Sequence, residues 1–542
     1  MQYEQQNADA SGEAARSLLA DGHVLLDKGL ELALALVLGS LIARWLRRRG
    51  LHWSWAAAAF VPVLALDHLL GGLAPAVLVA LAAASVRGRR WHRDDLETGQ
   101  DLGRIARARL TPAASVRGWV ATRDMKLPRL AGRGESAVRP SAMLALGRGL
   151  DGRAVTVPFV AGAASHGLVV GATGSGKTVT QTLVAVRAIE QGRGVIVVDP
   201  KGDAGMRDQL RDAAGRAGRE FIEWTPCGPT AYNPYARGGE TEIADRLLAG
   251  ERFTEPHYLR QAQRYLGHAV RALRACETEV SLATIVEMLD PPALEELLRH
   301  APEAQAIAGH AYLDSLTARQ LRDLAGVRDR LAILAESEAG RWLVSPEGDG
   351  TGFEVLGAAR ARSVVYFGLE ADSRPLLAQM LGAAIIQDLQ SAVAELQASP
   401  VSTLVVIDEF AAVSAEHVVA LFGRARSAGF SLLLGTQEIA DLRLPGRERT
   451  LEQVMGNLSL LIAHRQVVPA SAELISQLGG KRGTWRVSRA SGGRSTRTRA
   501  EEPRLAPGLL SELSPGWAAV IEFGGGAGPT VTRIVPAGGE PR

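Results

Sequence analysis

Cysteine is nearly absent: Cys227 and Cys276 are the two in 542 residues. Two isolated thiols cannot build a disulfide framework or a cysteine-rich zinc site, so both read as ordinary reduced cysteines. Charge of one sign is also lacking. The net charge of +3 does not by itself point to nucleic acid. No internal repeat is visible, and no long acidic run closes the chain. Signal-peptide features are missing too. The first apolar run begins late, has no basic leader beyond Lys28, and is followed by arginines where a small-residue cleavage site belongs. The length is a soft prior for roughly three domains.

Long apolar runs are present in two places. Residues 29–46 are broken only by Glu31 and Arg44 near the ends and are followed by Arg47, Arg48 and Arg49. A second region runs from Trp53 to Val86, interrupted by Asp67, His68, Gly71 and Gly72, and followed by a basic cluster ending at Arg93. A helix over this second region would far exceed the roughly 30 Å bilayer core, so a helical hairpin turning near Asp67–Gly72 fits better. Basic clusters belong on the cytoplasmic face. That bias gives three crossings with an outside N-terminus; a two-crossing arrangement, with residues 47–68 outside, runs against it. The expectation is a multi-pass anchor in the cell membrane with the remaining mass in the cytoplasm.

The most informative stretch is Gly171-Ala172-Thr173-Gly174-Ser175-Gly176-Lys177-Thr178, which matches G-x-x-x-x-G-K-[ST]. An apolar run precedes it and a helix-compatible run follows, which is the context the motif needs. Glycines let successive N–H groups turn around a triphosphate, and the following helix adds its positive end. Lys177 is expected on the β- and γ-phosphates of ATP, and Thr178 on Mg2+.

Beyond this loop, Gly194–Asp199, Arg362–Gly368, Thr403–Asp408, Ser431–Gly435 and Leu458–Ala463 read as buried strands of a parallel sheet. Trp517–Phe523 and Val531–Val535 read as a closing pair. Between them, the texture turns helical at Thr241–Leu248, His257–Arg274, Leu282–Leu289, Pro292–Arg299 and Ala318–Ala335. The expected fold is α/β: a RecA-like P-loop ATPase domain with an all-α insertion and an N-terminal transmembrane helical anchor. The expected boundaries are 1–93 for the tail and anchor, 94–160 for a linker and the start of the motor, 161–239 and 346–542 for the two parts of the nucleotide-binding domain, and 240–345 for the insertion.

Asp408 and Glu409 end an apolar strand, where open parallel sheets bind ligands. Asp408 is expected to orient Mg2+ and Glu409 to act as general base toward water. Gln437, at the end of the next strand, is placed to contact the γ-phosphate or the water. Arg424 and Arg426 lie on the connecting segment, two residues apart and so on different faces. Arg426 is the candidate arginine finger for a neighbouring subunit's ATP, set against a solvated helix arginine; Arg465 is a weaker candidate. Lys481 to Arg499 carries seven basic residues, Trp485 and no acid. It reads either as a mobile basic loop that grips phosphates or as a solvated one.

Gly171–Thr178, Asp199-Pro200-Lys201-Gly202-Asp203, Leu404–Glu409 and Gly429 to Gln437 together resemble the type IV secretion coupling proteins of the TraG/TraD group, in the FtsK/HerA motor superfamily. The Asp-Pro-Lys-Gly segment discriminates, because many ATPases share the other motifs. The resemblance covers residues from about 140 to 535. It implies a membrane-anchored ring, hexameric in form, whose ATP hydrolysis drives DNA with an attached relaxase toward a secretion channel. Implied partners are DNA, relaxase or relaxosome proteins, channel ATPases, the lipid bilayer and further copies of the chain. It implies the roles given above for Lys177, Thr178, Asp408, Glu409, Gln437 and, in trans, Arg426. Asp199 and Lys201 fall near the nucleotide or ring interface without an assigned role. Two departures stand out: no room for a folded extracytoplasmic domain between the apolar runs, and no acidic C-terminal tail. Competing readings are an ATPase delivering protein cargo and a nucleotide-gated membrane scaffold with little turnover; the Asp408–Glu409 pair argues against the second.

Overall fold

The structure, a computed structural model, describes residues 28–46, 53–66, 71–97, 144–150, 154–157, 165–250, 253, 255–346, 352–442, 449–489, 495–523 and 528–537. The expected turn at Asp67 and His68, the arginines 47–49 and most of the 94–160 linker lie outside these. The chain divides into two compact units.

The first unit comprises residues 1–132, 148–154 and 480–509. It holds helices α1 (Lys28–Leu46), α2 (Ser54–Ala58), α3 (Phe60–Ala65) and α4 (Ala74–Glu97). Ala43, Leu46, Ala56, Leu81 and Ala84 form its apolar core. Small residues let the helices approach closely: a Cβ on Gly39 would lie 2.4 Å from the Ala80 carbonyl oxygen on α4. By length and composition, the 19-residue α1 is able to cross a membrane, with mean hydropathy 1.7 over an 18-residue window. Ser54–Ala65 is apolar but shorter. The same unit contains a two-stranded antiparallel ribbon, β12 (Lys481–Arg489) and β13 (Ser495–Pro503), where a mobile loop was expected. Alternation of basic with Thr, Val and Trp residues suits a paired ribbon, and a charge count alone does not carry that information.

The second unit holds an 11-stranded sheet, apart from residues 148–149 and 154 of its first two strands, and the helices packed on it. Its strands are β1 (Leu144–Gly149), β2 (Ala154–Val157), β3 (Gly167–Val170), β4 (Gly194–Asp199), β5 (Phe221–Trp224), β8 (Val364–Gly368), β9 (Thr403–Ile407), β10 (Phe430–Thr436), β11 (Leu460–Ala463), β14 (Trp517–Glu522) and β15 (Thr530–Ile534), in the order β2-β1-β15-β14-β11-β3-β10-β9-β4-β8-β5. From β11 to β5 every pairing is parallel; on the other side β14 pairs antiparallel with β11 and with β15, and β1 and β2 lie beyond. Strands β3, β4, β8, β9 and β10 are buried along their whole length, which is why they read as unbroken apolar runs. Helices α5 (Lys177–Glu190) and α6 (Ala204–Arg216) pack on Val169, Val195, Val197, Val406 and Leu433.

Helices α7 (Glu240–Leu248), α8 (Pro256–Ala275), α9 (Leu282–Met288), α10 (Pro291–Leu298), α11 (Glu303–Asp314) and α12 (Ala318–Ala335) form an all-α region. It leaves and rejoins the α/β part at a short parallel pair, β6 (Ala231–Tyr232) and β7 (Gly352–Phe353). Helix α11 escaped the sequence reading because it buries only Gly309 and Tyr312 and shows no clear apolar stripe. After β7 come α13 (Val355–Ala361), α14 (Pro375–Leu396), α15 (Phe410–Ala425), α16 (Thr450–Asn457) and α17 (Pro469–Leu478). Helix α14 is also long and apolar, but 67% of its apolar window is buried within the protein, as befits a core helix.

Candidate active site

The site forms where β3, β4, β9, β10 and β11 end together. The loop after β3 is pinned on both sides: Gly171 N–H donates to Thr436 O at 3.3 Å and Ala172 N–H to Arg465 O at 3.0 Å. Gly174 and Gly176 adopt φ of +73° and +108°, a region that favours glycine. Gly176 then caps α5, whose first residues are Lys177 and Thr178. Thr173 Oγ1 donates to Gln437 Oε1 at 3.1 Å, so the loop meets the chain just after β10.

Lys177 is buried and points at the end of β9. Its Nζ pairs with Glu409 Oε1 and lies 3.5 Å from Asp408 Oδ1. Lys201 Nζ reaches the same Glu409 oxygen at 3.1 Å. Burial opposes the charged form of Glu409, but the two ammonium groups outweigh it and hold its pKa below the usual carboxylate range. Asp408 goes the other way. Burial raises its pKa, Lys177 offsets this only in part, and the neighbouring Glu409 charge adds to the rise. Its Oδ1 is buried without a hydrogen-bond partner.

This arrangement fits a magnesium nucleotide on three observations. The loop glycines are set for backbone donors to face an anion, a buried cation has only carboxylates to pair with, and a buried carboxylate oxygen lacks a donor. On this arrangement Thr178 and Asp408 would hold Mg2+, an ion that would neutralise phosphate charge when bound.

Asp199 turns out to shape the backbone. Its carboxylate accepts from Lys201 N–H at 2.9 Å, Asp203 N–H at 2.6 Å and the Tyr366 hydroxyl at 2.7 Å. Gln181 and His464 escaped the sequence reading. Gln181 lies one turn beyond Lys177, fully buried, and a Cβ on Gly435 would meet both its amide and the Asp408 carboxylate. A polar residue on an otherwise apolar helix face was the available signal. His464 lies beneath the loop, with Nδ1 3.0 Å from Trp517 O and Nε2 2.8 Å from Thr180 Oγ1. Burial lowers its pKa to about 4. The neutral ring therefore donates from Nδ1 and accepts from Thr180.

Arg426 is not part of this cluster. It follows α15, donates to Asn457 O at 3.0 Å, and its charge helps burial lower the pKa of His166 to about 3. His166 immediately precedes β3, so Arg426 lies at the opposite ends of the strands from Lys177. Arg465 follows β11 beside the loop, with a buried Nε that lacks a hydrogen-bond partner.

Residues 402–514 match the family described as the TraM recognition site of TraD and TraG, and residues 148–216 match the HerA-like helicase C-terminal family. Over 104 residues the chain is 32% identical to an uncharacterized protein of Mycoplasma pneumoniae, covering 19% of this chain and 69% of that one. Among solved structures, the unbound conjugative coupling protein TrwB, lacking its N-terminal segment, matches with a TM-score of 0.55 and 17% identity. That match covers 74% of this chain and 89% of TrwB. TrwB with a non-hydrolysable GTP analogue matches at 0.52, 18% identity, 69% and 87% coverage. TrwB with ADP and Mg2+ matches at 0.50, 17% identity, 71% and 87% coverage. At these identities the likeness establishes the fold, that of a P-loop ATPase. One family model matches around the nucleotide loop and the other from the Asp408–Glu409 strand onward, and in these two segments the chain is similar to the TraG/TraD coupling proteins and the HerA-like helicases of the FtsK/HerA superfamily.

Proposed function

We propose that this protein is a membrane-anchored, Mg2+-dependent ATPase that couples hydrolysis to DNA transfer, working as a ring of subunits, six by analogy with its group. The observation that carries the reading is the meeting of Lys177 with Asp408 and Glu409 at the mouth of the glycine loop. ATP binding draws Lys177 away from the carboxylates to the phosphates. Glu409 takes a proton from water as the water oxygen attacks the γ-phosphorus and the bond to the β-phosphate oxygen breaks. Gln437, touching the loop through Thr173, is placed to report the γ-phosphate to the end of β10.

DNA as the cargo is supported by the conjugative role named for TrwB and by the basic ribbon. The matched family's description supports contact with a relaxosome protein through residues 402–514. The apolar α1 supports the anchor. We read Ser54–Ala65 and the apolar start of α4 as the hairpin that makes it multi-pass, on the strength of their shared small-residue core with α1.

The test is ATP hydrolysis by the full-length protein in detergent, with and without DNA. Turnover is expected to need Mg2+, to rise with DNA, and to fall at least about 100-fold in Lys177→Ala, the scale set by losing one preorganised electrostatic contact. Unchanged turnover in that variant would overturn the site.

A further inference from the structure

Lysine is rare in this chain. Lys28, Lys126, Lys177, Lys201 and Lys481 are the five among 61 basic residues. Two of the five meet on a single oxygen, Oε1 of Glu409. Lys177 is accounted for by the phosphates; Lys201 is not.

The turn carrying Lys201 is fixed at every point except that side chain. Asp199, buried, ties down the N–H groups of Lys201 and Asp203 and is itself held by Tyr366. Leu369 N–H donates to Asp199 O at 3.0 Å and Ala371 N–H to Pro200 O at 2.6 Å. Gly202 takes φ +74° to close the turn, and Asp203 caps α6 by accepting from Met206 N–H. None of these bonds uses the Lys201 ammonium. It leaves this scaffold at the end of β4 and crosses to the end of β9, the adjacent strand. Glu409 sits at φ +41°, in the left-handed region, uncommon for a residue with a side chain and a feature that gathers at functional sites.

We propose that Lys201 is a positioning residue that latches the Glu409 carboxylate and holds it off the attacking water until the latch opens. This rests on the ATPase reading above. When Lys177 moves to the phosphates, Lys201 remains as the cation on Glu409. A carboxylate oxygen engaged by an ammonium has less lone-pair density for water, and accepting the proton discharges the ion pair. A turnover in which Oε1 takes the proton must therefore break the Lys201 contact. An opened latch gives a subunit that fires without its stimulus, so the contact acts as a brake on idle hydrolysis.

The experiment compares full-length wild type, Lys201→Met and Lys201→Arg in detergent. Lys201→Met is expected to raise DNA-independent kcat roughly 3- to 10-fold, the rate equivalent of one hydrogen bond, with KM for ATP unchanged. DNA stimulation should shrink, and Lys201→Arg should restore the brake. A second readout uses no turnover: thermal unfolding of the nucleotide-free protein. Lys201→Met and Glu409→Gln should together cost less than the sum of their separate effects. Basal kcat at or below wild type in Lys201→Met, or additive unfolding shifts, overturns the latch. Lys177→Ala separates the two readings. If it leaves hydrolysis intact, the ATPase site is wrong; if it abolishes hydrolysis while Lys201→Met changes nothing, only the latch fails.

Discussion

Asp408 and Glu409 are adjacent in the chain yet are pushed in opposite directions electrostatically. Asp408 is buried with Lys177 Nζ at 3.5 Å, and Glu409 accepts from two ammonium groups. Neither state follows from the residue pair alone; burial raises Asp408, and the lysines that the sheet brings within reach lower Glu409. His464 makes the same point with a measurable consequence. Its folded-state pKa of about 4 lies below the ordinary value of 6.5, so the unfolded chain takes up the proton first. Its contribution to stability is complete above about pH 6.5 and is lost as pH falls toward 4. At about pH 5 the loss is on the order of 2 kcal/mol. His464→Gln should therefore flatten the decline in urea midpoint between about pH 7 and pH 5, leaving the part due to His166, whose pKa is lowered to about 3. An unchanged decline would show that His464 is not held neutral.

Elements were legible in the sequence where local pattern and burial agree. The glycine loop, the strands 194–199, 403–407 and 430–436, and the helix 318–335 announce themselves because strands buried on both faces are apolar throughout and long helices are periodic. Residues 481–499 read as a loop from their charge, yet Lys481–Arg489 and Ser495–Pro503 pair as an antiparallel ribbon, a partnership that charge alone does not reveal. Asp199, which has no assigned role in the sequence, ties down the turn after β4. The join between α7 and α14 was invisible from sequence. There Arg246 lies 3.3 Å from Asp388, whose other oxygen accepts from Tyr232 at 2.8 Å. Burial raises the Asp388 pKa against the pull of Arg246. Removing the cation strands a buried carboxylate, so Arg246→Ala should destabilise the protein by about 3–5 kcal/mol in urea unfolding. A loss within 1 kcal/mol, roughly a surface effect, would show that water reaches this pair.

At the scale of the whole molecule, the position of Arg426 carries a prediction. It cannot serve the Lys177 site of its own subunit, since it sits at the other ends of the strands, beside His166 and Asn457. If it acts on a neighbour, Arg426→Ala should bind ATP but turn over about 10³-fold more slowly. Mixing it with Lys177→Ala subunits should then recover activity, because some interfaces regain an intact loop and an intact arginine. No recovery on mixing would remove Arg426 from the site. The sequence by itself determined the nucleotide loop, the carboxylate pair, the apolar N-terminal run and the α/β alternation, since each is a local pattern of residue types. Only the tertiary structure decided that Lys201 shares Glu409 with Lys177, that Gln181 and His464 line the site, and that Arg426 faces away. Those facts depend on parallel neighbours far apart in sequence: β3, β4, β9, β10 and β11 end at one edge, and residues hundreds of positions apart converge there.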